Sequence, residues 1–272
     1  MSLQSIPRQD RYIVGATLAV VTLVCWAWIY PMARDMYGAM DGPAAWMMTM
    51  DWDVRHTLLL CAMWIVMMAG MMLPTAAPMF LLYAGALRRE SATRARLSSV
   101  LALGVGYLFV WTLFSIAATA LQRGLSESLA LTPMMEPATP SVAAAGLFLA
   151  GIYQLTPLKA SCLRVCRSPL SFLMQHWRPG VSGAFRMGVT HGRYCLGCCW
   201  ALMLLLFVGG VMNIYVIAGL TVVVLFEKIA PFGDRTSRAL GVGLIALAVW
   251  LLVGGAPAPQ ARYDLALDQS NS

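Results

Sequence analysis

The chain has 272 residues and a formal net charge of +7, and 60% of its residues are hydrophobic against 11% charged. Soluble globular domains carry roughly 45–50% apolar and about 25% charged residues, so a soluble enzyme with a single buried core is excluded. A disordered protein and a small disulfide-stapled secreted domain are excluded with it. The mean hydropathy is +0.71. Apolar blocks of about 17–25 residues, long enough to cross a bilayer as helices, predict an all-α polytopic membrane bundle.

In chain order, seven spans are predicted, at 12–30, 57–86, 98–121, 141–158, 194–212, 214–230 and 239–255. The first follows Arg8 and Arg11 and is read as a retained helix: it is long for a signal peptide and lacks a small-x-small cleavage site. The second is overlong and holds Pro74 and Pro78, which predict a kink or break. Gly104-Val105-Gly106 in the third span reads as close helix packing, not as a nucleotide fingerprint. The fifth and sixth meet at Gly209-Gly210-Val211-Met212-Asn213, a tight turn between antiparallel helices. Residues 1–255 read as one transmembrane domain, and the Ala-Pro-rich, then polar, stretch 256–272 as a disordered tail.

The 19 Lys and Arg sit in short loops with no aromatic-interleaved basic face, so they read as topology charges and not as a nucleic-acid surface. Alternate loops divide them fifteen to four, which predicts a cytoplasmic N-terminus and a C-terminus outside. The outer loops instead collect Asp35, Asp41, Asp51, Asp53, Glu127 and Glu136. Those carboxylates serve solubility or, on a sharper reading, gather cations.

Seven cysteines are present, five of them between residues 162 and 199. In His191-Gly192-Arg193-Tyr194-Cys195-Leu196-Gly197-Cys198-Cys199-Trp200, a helix advances about 100° per residue. With His191 at zero, Cys195 falls near 40°, Cys198 near −20° and Cys199 near 80°, an arc of about 100° over two turns. Imidazole and thiolate are ligands that Zn²⁺ and Cu⁺ prefer. Gly192 and Gly197 are the points at which such a helix could break. Cys162 and Cys166 lie one turn apart upstream, on the same predicted side. Glu227, level with position 197 if the hairpin turns near 212, is read as the partner of a nearby Lys or Arg, or as a ligand or an orienting group for a metal.

The second span carries Met63, Met67 and Met71 on one stripe, with Met68 and Met72 beside it. Thioethers at this spacing fill gaps in a core, but they are also soft ligands that favour Cu⁺ over Zn²⁺. The Met-x-x-x-Met spacing resembles that of high-affinity copper transporters. With Met47, Met48, Met50, Asp51 and His56 ahead of the span, the chain could form a graded route from an outer Met/His/Asp collar to the inner Cys/His cluster.

The run Tyr194–Met203, the Val211-Met212-Asn213 turn and Glu227-Lys228 resemble a bacterial family of predicted metal-binding integral membrane proteins. Met71-Met72-Leu73-Pro74, Ala77-Pro78-Met79, Leu158-Lys159 and Cys162 with Cys166-Arg167-Ser168-Pro169 are similar to its other blocks, over about 57–231. The resemblance implies a multi-pass protein of a bacterial inner (cytoplasmic) membrane, and the loop charges then put its C-terminus in the periplasm. Together these features predict a protein that binds a soft metal, copper(I) before zinc, in transport, relay or delivery. Its partners would be the bilayer and a metal-delivery or client protein. The competing reading is a membrane thiol–disulfide oxidoreductase using Cys195 and Cys198. No constellation for hydrolytic or covalent catalysis is present.

Overall fold

The computed structural model describes residues 8–36, 52–87, 93–132, 135–230 and 232–254. The expected outer collar at 47–51 and the tail at 256–272 lie outside the described residues. Those described form helices α1 (Arg8–Met36), α2 (Val54–Leu87), α3 (Thr93–Glu127), α4 (Pro140–Gln154) and α5 (Pro157–Arg167). These are followed by α6 (Pro169–His176), α7 (Gly180–Gly209), α8 (Ile214–Ile229) and α9 (Gly233–Val253). The all-α expectation holds.

Among the described residues five helices, α1, α2, α3, α7 and α9, are long and apolar enough to cross a membrane, and α4 with α5 makes a sixth if the bent pair is one span. Seven spans were expected. The sequence at 214–230 instead forms α8, whose 16 residues fall short of the ~20 that a bilayer requires. Large apolar side chains face outward on α1 (Leu23, Val24), α3 (Leu101, Val105) and α9 (Trp250, Leu252), as surfaces meeting lipid do.

Of the kink or break expected in the second span, the break does not occur. Pro74 and Pro78 lie inside the continuous helix α2. Proline at 74 removes the N–H that would bond the carbonyl of Gly70. That carbonyl accepts instead from the indole Nε1 of Trp26 on α1, at 3.3 Å, so the helix continues without an orphaned group. The true interruption separates α4 from α5, which are bent by 65°. Thr156 there is extended and caps α5 by accepting from the Lys159 N–H, and Pro157 follows at the first helical position. Both features start a new helix and neither continues the old one.

Two connections position the functional residues. Helices α3 and α7 cross closely because Gly106 lies against the Phe185 carbonyl and Gly188 against that of Leu103. Neither site has room for a Cβ. The expected hairpin forms between α7 and α8. Gly210 turns the chain with φ at +88°, a conformation that favours glycine, and the Asn213 side chain accepts from the N–H groups of Tyr215 and Val216.

Candidate metal centre

Helix α7 runs unbroken through Gly192 and Gly197, so the angular argument for its Cys/His face applies. His191, Cys195, Cys198 and Cys199 are all buried. The thiols of Cys198 and Cys199 both donate to the carbonyl oxygen of Cys195, at 3.1 and 2.9 Å. That shared acceptor brings the two sulfurs together on the inner face of the helix.

Each of these sulfurs then meets one from another helix. Cys198 Sγ is 3.8 Å from Cys166 Sγ on α5, and Cys199 Sγ is 3.9 Å from Met72 Sδ on α2. Two sulfurs that share a tetrahedral ion, each at about 2.3 Å, stand about 3.8 Å apart. Both pairs are in thiol hydrogen-bond contact at a similar spacing, close enough to converge on one ion. Among the described residues, no three His, Cys, Asp or Glu side chains are grouped to hold an ion. Closed zinc sites call for four ligands. Paired thiol and thioether donors fit a soft, monovalent ion of low coordination number better.

Cys195 has a different environment. Its sulfur is 3.0 Å from the hydroxyl of Tyr107 on α3 and accepts from Lys228 Nζ on α8 at 3.0 Å. Tyr107 also donates to the Met72 carbonyl at 3.1 Å, and Lys228 donates to Thr75 Oγ1 at 2.9 Å. Groups from α3 and α8 thus meet Cys195 of α7, and each of them is held in turn by a group on α2. The ammonium of Lys228 is buried, and among the described residues no carboxylate pairs with it.

Other predicted residues have other neighbours. Cys162 Sγ packs against Gly197, 2.6 Å from where a Cβ would stand. Glu227 is fully engaged elsewhere: Gln154 Nε2 donates to its Oε1 at 3.1 Å, and Lys159 Nζ pairs with its Oε2 at 2.8 Å. Lys159 also donates to Gln154, closing a buried triad that ties α4 and α5 to α8. His191 packs against Tyr107 with its ring tilted and against Phe172 edge-on, and its Nδ1 is buried without a hydrogen-bond partner among the described residues. Such a nitrogen calls for an explanation. Met63, Met67, Met68 and Met71 are fully buried with Met72 in the common core, and Met72 carries its sulfur to Cys199. His56 sits in the first turn of α2, where its N–H donates to Asp53 Oδ1 at 2.6 Å and its ring meets Trp52.

Sequence reasoning missed Tyr107, Thr75 and Gln154, and it placed Lys159 and Lys228 in loops. Both lysines are buried. A usable signal existed for Lys228, which directly follows Glu227 at the end of an uninterrupted apolar run.

No curated protein and no solved structure matches the chain. The model of the PpoB2 family, described as copper chaperone, matches residues 61–251. That range contains every residue of the sulfur cluster, from Met72 to Cys199, together with its neighbour Lys228. The metal-related character and the soft-ligand chemistry expected from the sequence agree with this description. The chain belongs to the PpoB2 family of copper chaperones.

Proposed function

We propose that this chain binds cuprous copper within the membrane on the sulfurs of Cys166, Cys198, Cys199 and Met72 and passes it to a client protein. The observation that carries the reading is the pair of chelating sulfur contacts, Cys198 with Cys166 and Cys199 with Met72. Thiolate and thioether together select Cu⁺ over harder ions. Two-sulfur units suit delivery, because an ion held by few ligands can move by exchanging one sulfur at a time. Cys195 supports the site through its carbonyl and its contact with Lys228. His191 offers a free imidazole nitrogen one turn away.

Charge balance favours the same ion. Cu⁺ on two thiolates carries one net negative charge, and a buried charge needs a partner. The ammonium of Lys228 supplies it. The methionines beyond Met72 act as packing around the site or as earlier stations on the route. We read the N-terminus as cytoplasmic, in a bacterial inner membrane.

The test is copper content. Protein purified anaerobically and loaded with Cu⁺ should retain copper through desalting. A Cys198→Ser/Cys199→Ser variant that elutes as wild type should lose most of it. Equal copper in the two would overturn the proposal.

A further inference from the structure

Cys166 and Cys198 come from different helices, yet their sulfurs stand 3.8 Å apart. The approach is built into the packing of α5 on α7. Gly197 leaves the space that the sulfur of Cys162 fills, and Cys166 follows Cys162 by one turn on the same face of α5. Helix α5 is held at both ends, by Lys159 on Glu227 at 2.8 Å and by Arg167 Nη2 donating to the Ala230 carbonyl at 2.7 Å. Cys166 is half-buried and Cys198 fully buried. Cys195 gives its sulfur to Tyr107 and Lys228.

We infer that Cys166 and Cys198 form a redox pair that reduces cupric copper to the cuprous ion the site holds. The inference rests on the copper reading above. In the step, the two thiols release two protons to solvent and two electrons as one sulfur–sulfur bond forms. Two cupric ions each accept one electron and become cuprous. A disulfide bond is about 2.05 Å long, so the sulfurs close by a little under ~2 Å. The pair then no longer offers thiolates, and Cys199 with Met72 remains as the sulfur donor for Cu⁺. A small-molecule thiol resets the pair by thiol–disulfide exchange and is itself oxidised to its disulfide.

The experiment uses the full chain in detergent, fully reduced and free of oxygen, mixed with cupric chloride and a colorimetric chelator selective for Cu⁺. Alkylation and peptide mass spectrometry then locate any disulfide. Wild type should give a Cys166–Cys198 disulfide as cuprous ion appears. Cys166→Ser and Cys198→Ser should slow cuprous production roughly tenfold or more, while Cys61→Ser, on α2 and outside the cluster, should keep it. A wild-type disulfide between other cysteines would overturn the inference, and that measurement needs no variant to fold. Cys166→Ser protein reducing copper as fast as wild type would also overturn it. A parallel sample receives Cu⁺ directly. If wild type fails to retain it, the copper reading itself fails; if it retains Cu⁺ but forms no Cys166–Cys198 disulfide with Cu²⁺, the redox inference alone fails.

Discussion

The ammonium nitrogen of Lys228 lies 3.0 Å from the sulfur of Cys195. Its neighbour in sequence, Glu227, is paired 2.8 Å from Lys159. The end of α8 thus places one charge beside the sulfur cluster and the opposite charge at the α4–α5 joint. If Lys228 balances the negative charge of a cuprous–thiolate complex, Lys228→Met should weaken Cu⁺ binding about 10–100-fold, the usual effect of losing an outer-shell partner. Competition against a cuprous chelator of known affinity measures this. Affinity unchanged from wild type would remove Lys228 from the account.

Glu227 should behave as a structural residue. Glu227→Gln leaves Lys159 buried without its counter-charge, and losing one partner of a buried pair costs about 3–5 kcal/mol. Thermal unfolding in detergent should show the loss, while the folded fraction keeps wild-type copper. Replacing the pair together, Lys159→Met with Glu227→Leu, should recover much of the stability, because well-packed apolar residues often replace a buried ion pair without net cost.

Gly197 is predicted to set the spacing between α5 and α7. In Gly197→Ala the new methyl meets the Cys162 sulfur at 2.6 Å, and overpacking of this kind costs about 1–3 kcal/mol. Adding Cys162→Ala should restore most of the stability by vacating that space. A Gly197→Ala protein as stable as wild type would contradict the close approach on which the Cys166–Cys198 contact depends.

The methionines should separate into two kinds. Met72→Leu removes the thioether beside Cys199 and should lower Cu⁺ affinity. Met67→Leu and Met68→Leu conserve volume in the core and should cost less than about 1.5 kcal/mol, with little effect on copper. Chelator competition and thermal unfolding on the same samples distinguish the two. Equal copper loss in all three would favour a continuous methionine route along α2.

What could be read from the sequence was local. The shared face of His191, Cys195, Cys198 and Cys199 follows from helical spacing alone, and the Gly210–Asn213 turn from its residue types. The α4–α5 break had a local signal too, Thr156 followed by Pro157, but hydropathy carried the predicted span past it to 158. The polar centre was not legible, because its partners are far apart in sequence: Lys159 with Glu227, Tyr107 with Cys195, Met72 with Cys199. A lysine at the end of an apolar run looks like a loop charge until the carboxylate or sulfur that holds it is known. Cys162 and Cys166 looked equivalent, yet one seats in the Gly197 space and the other meets a thiol.

The most direct measurement is X-ray absorption at the copper edge on protein loaded with Cu⁺ under anaerobic conditions. The arrangement of Cys166, Cys198, Cys199 and Met72 predicts a low-coordinate cuprous ion with a shell of two or three sulfurs, reduced in number in the Cys198→Ser/Cys199→Ser protein. A shell made of nitrogen and oxygen, or one unchanged in that variant, would contradict it.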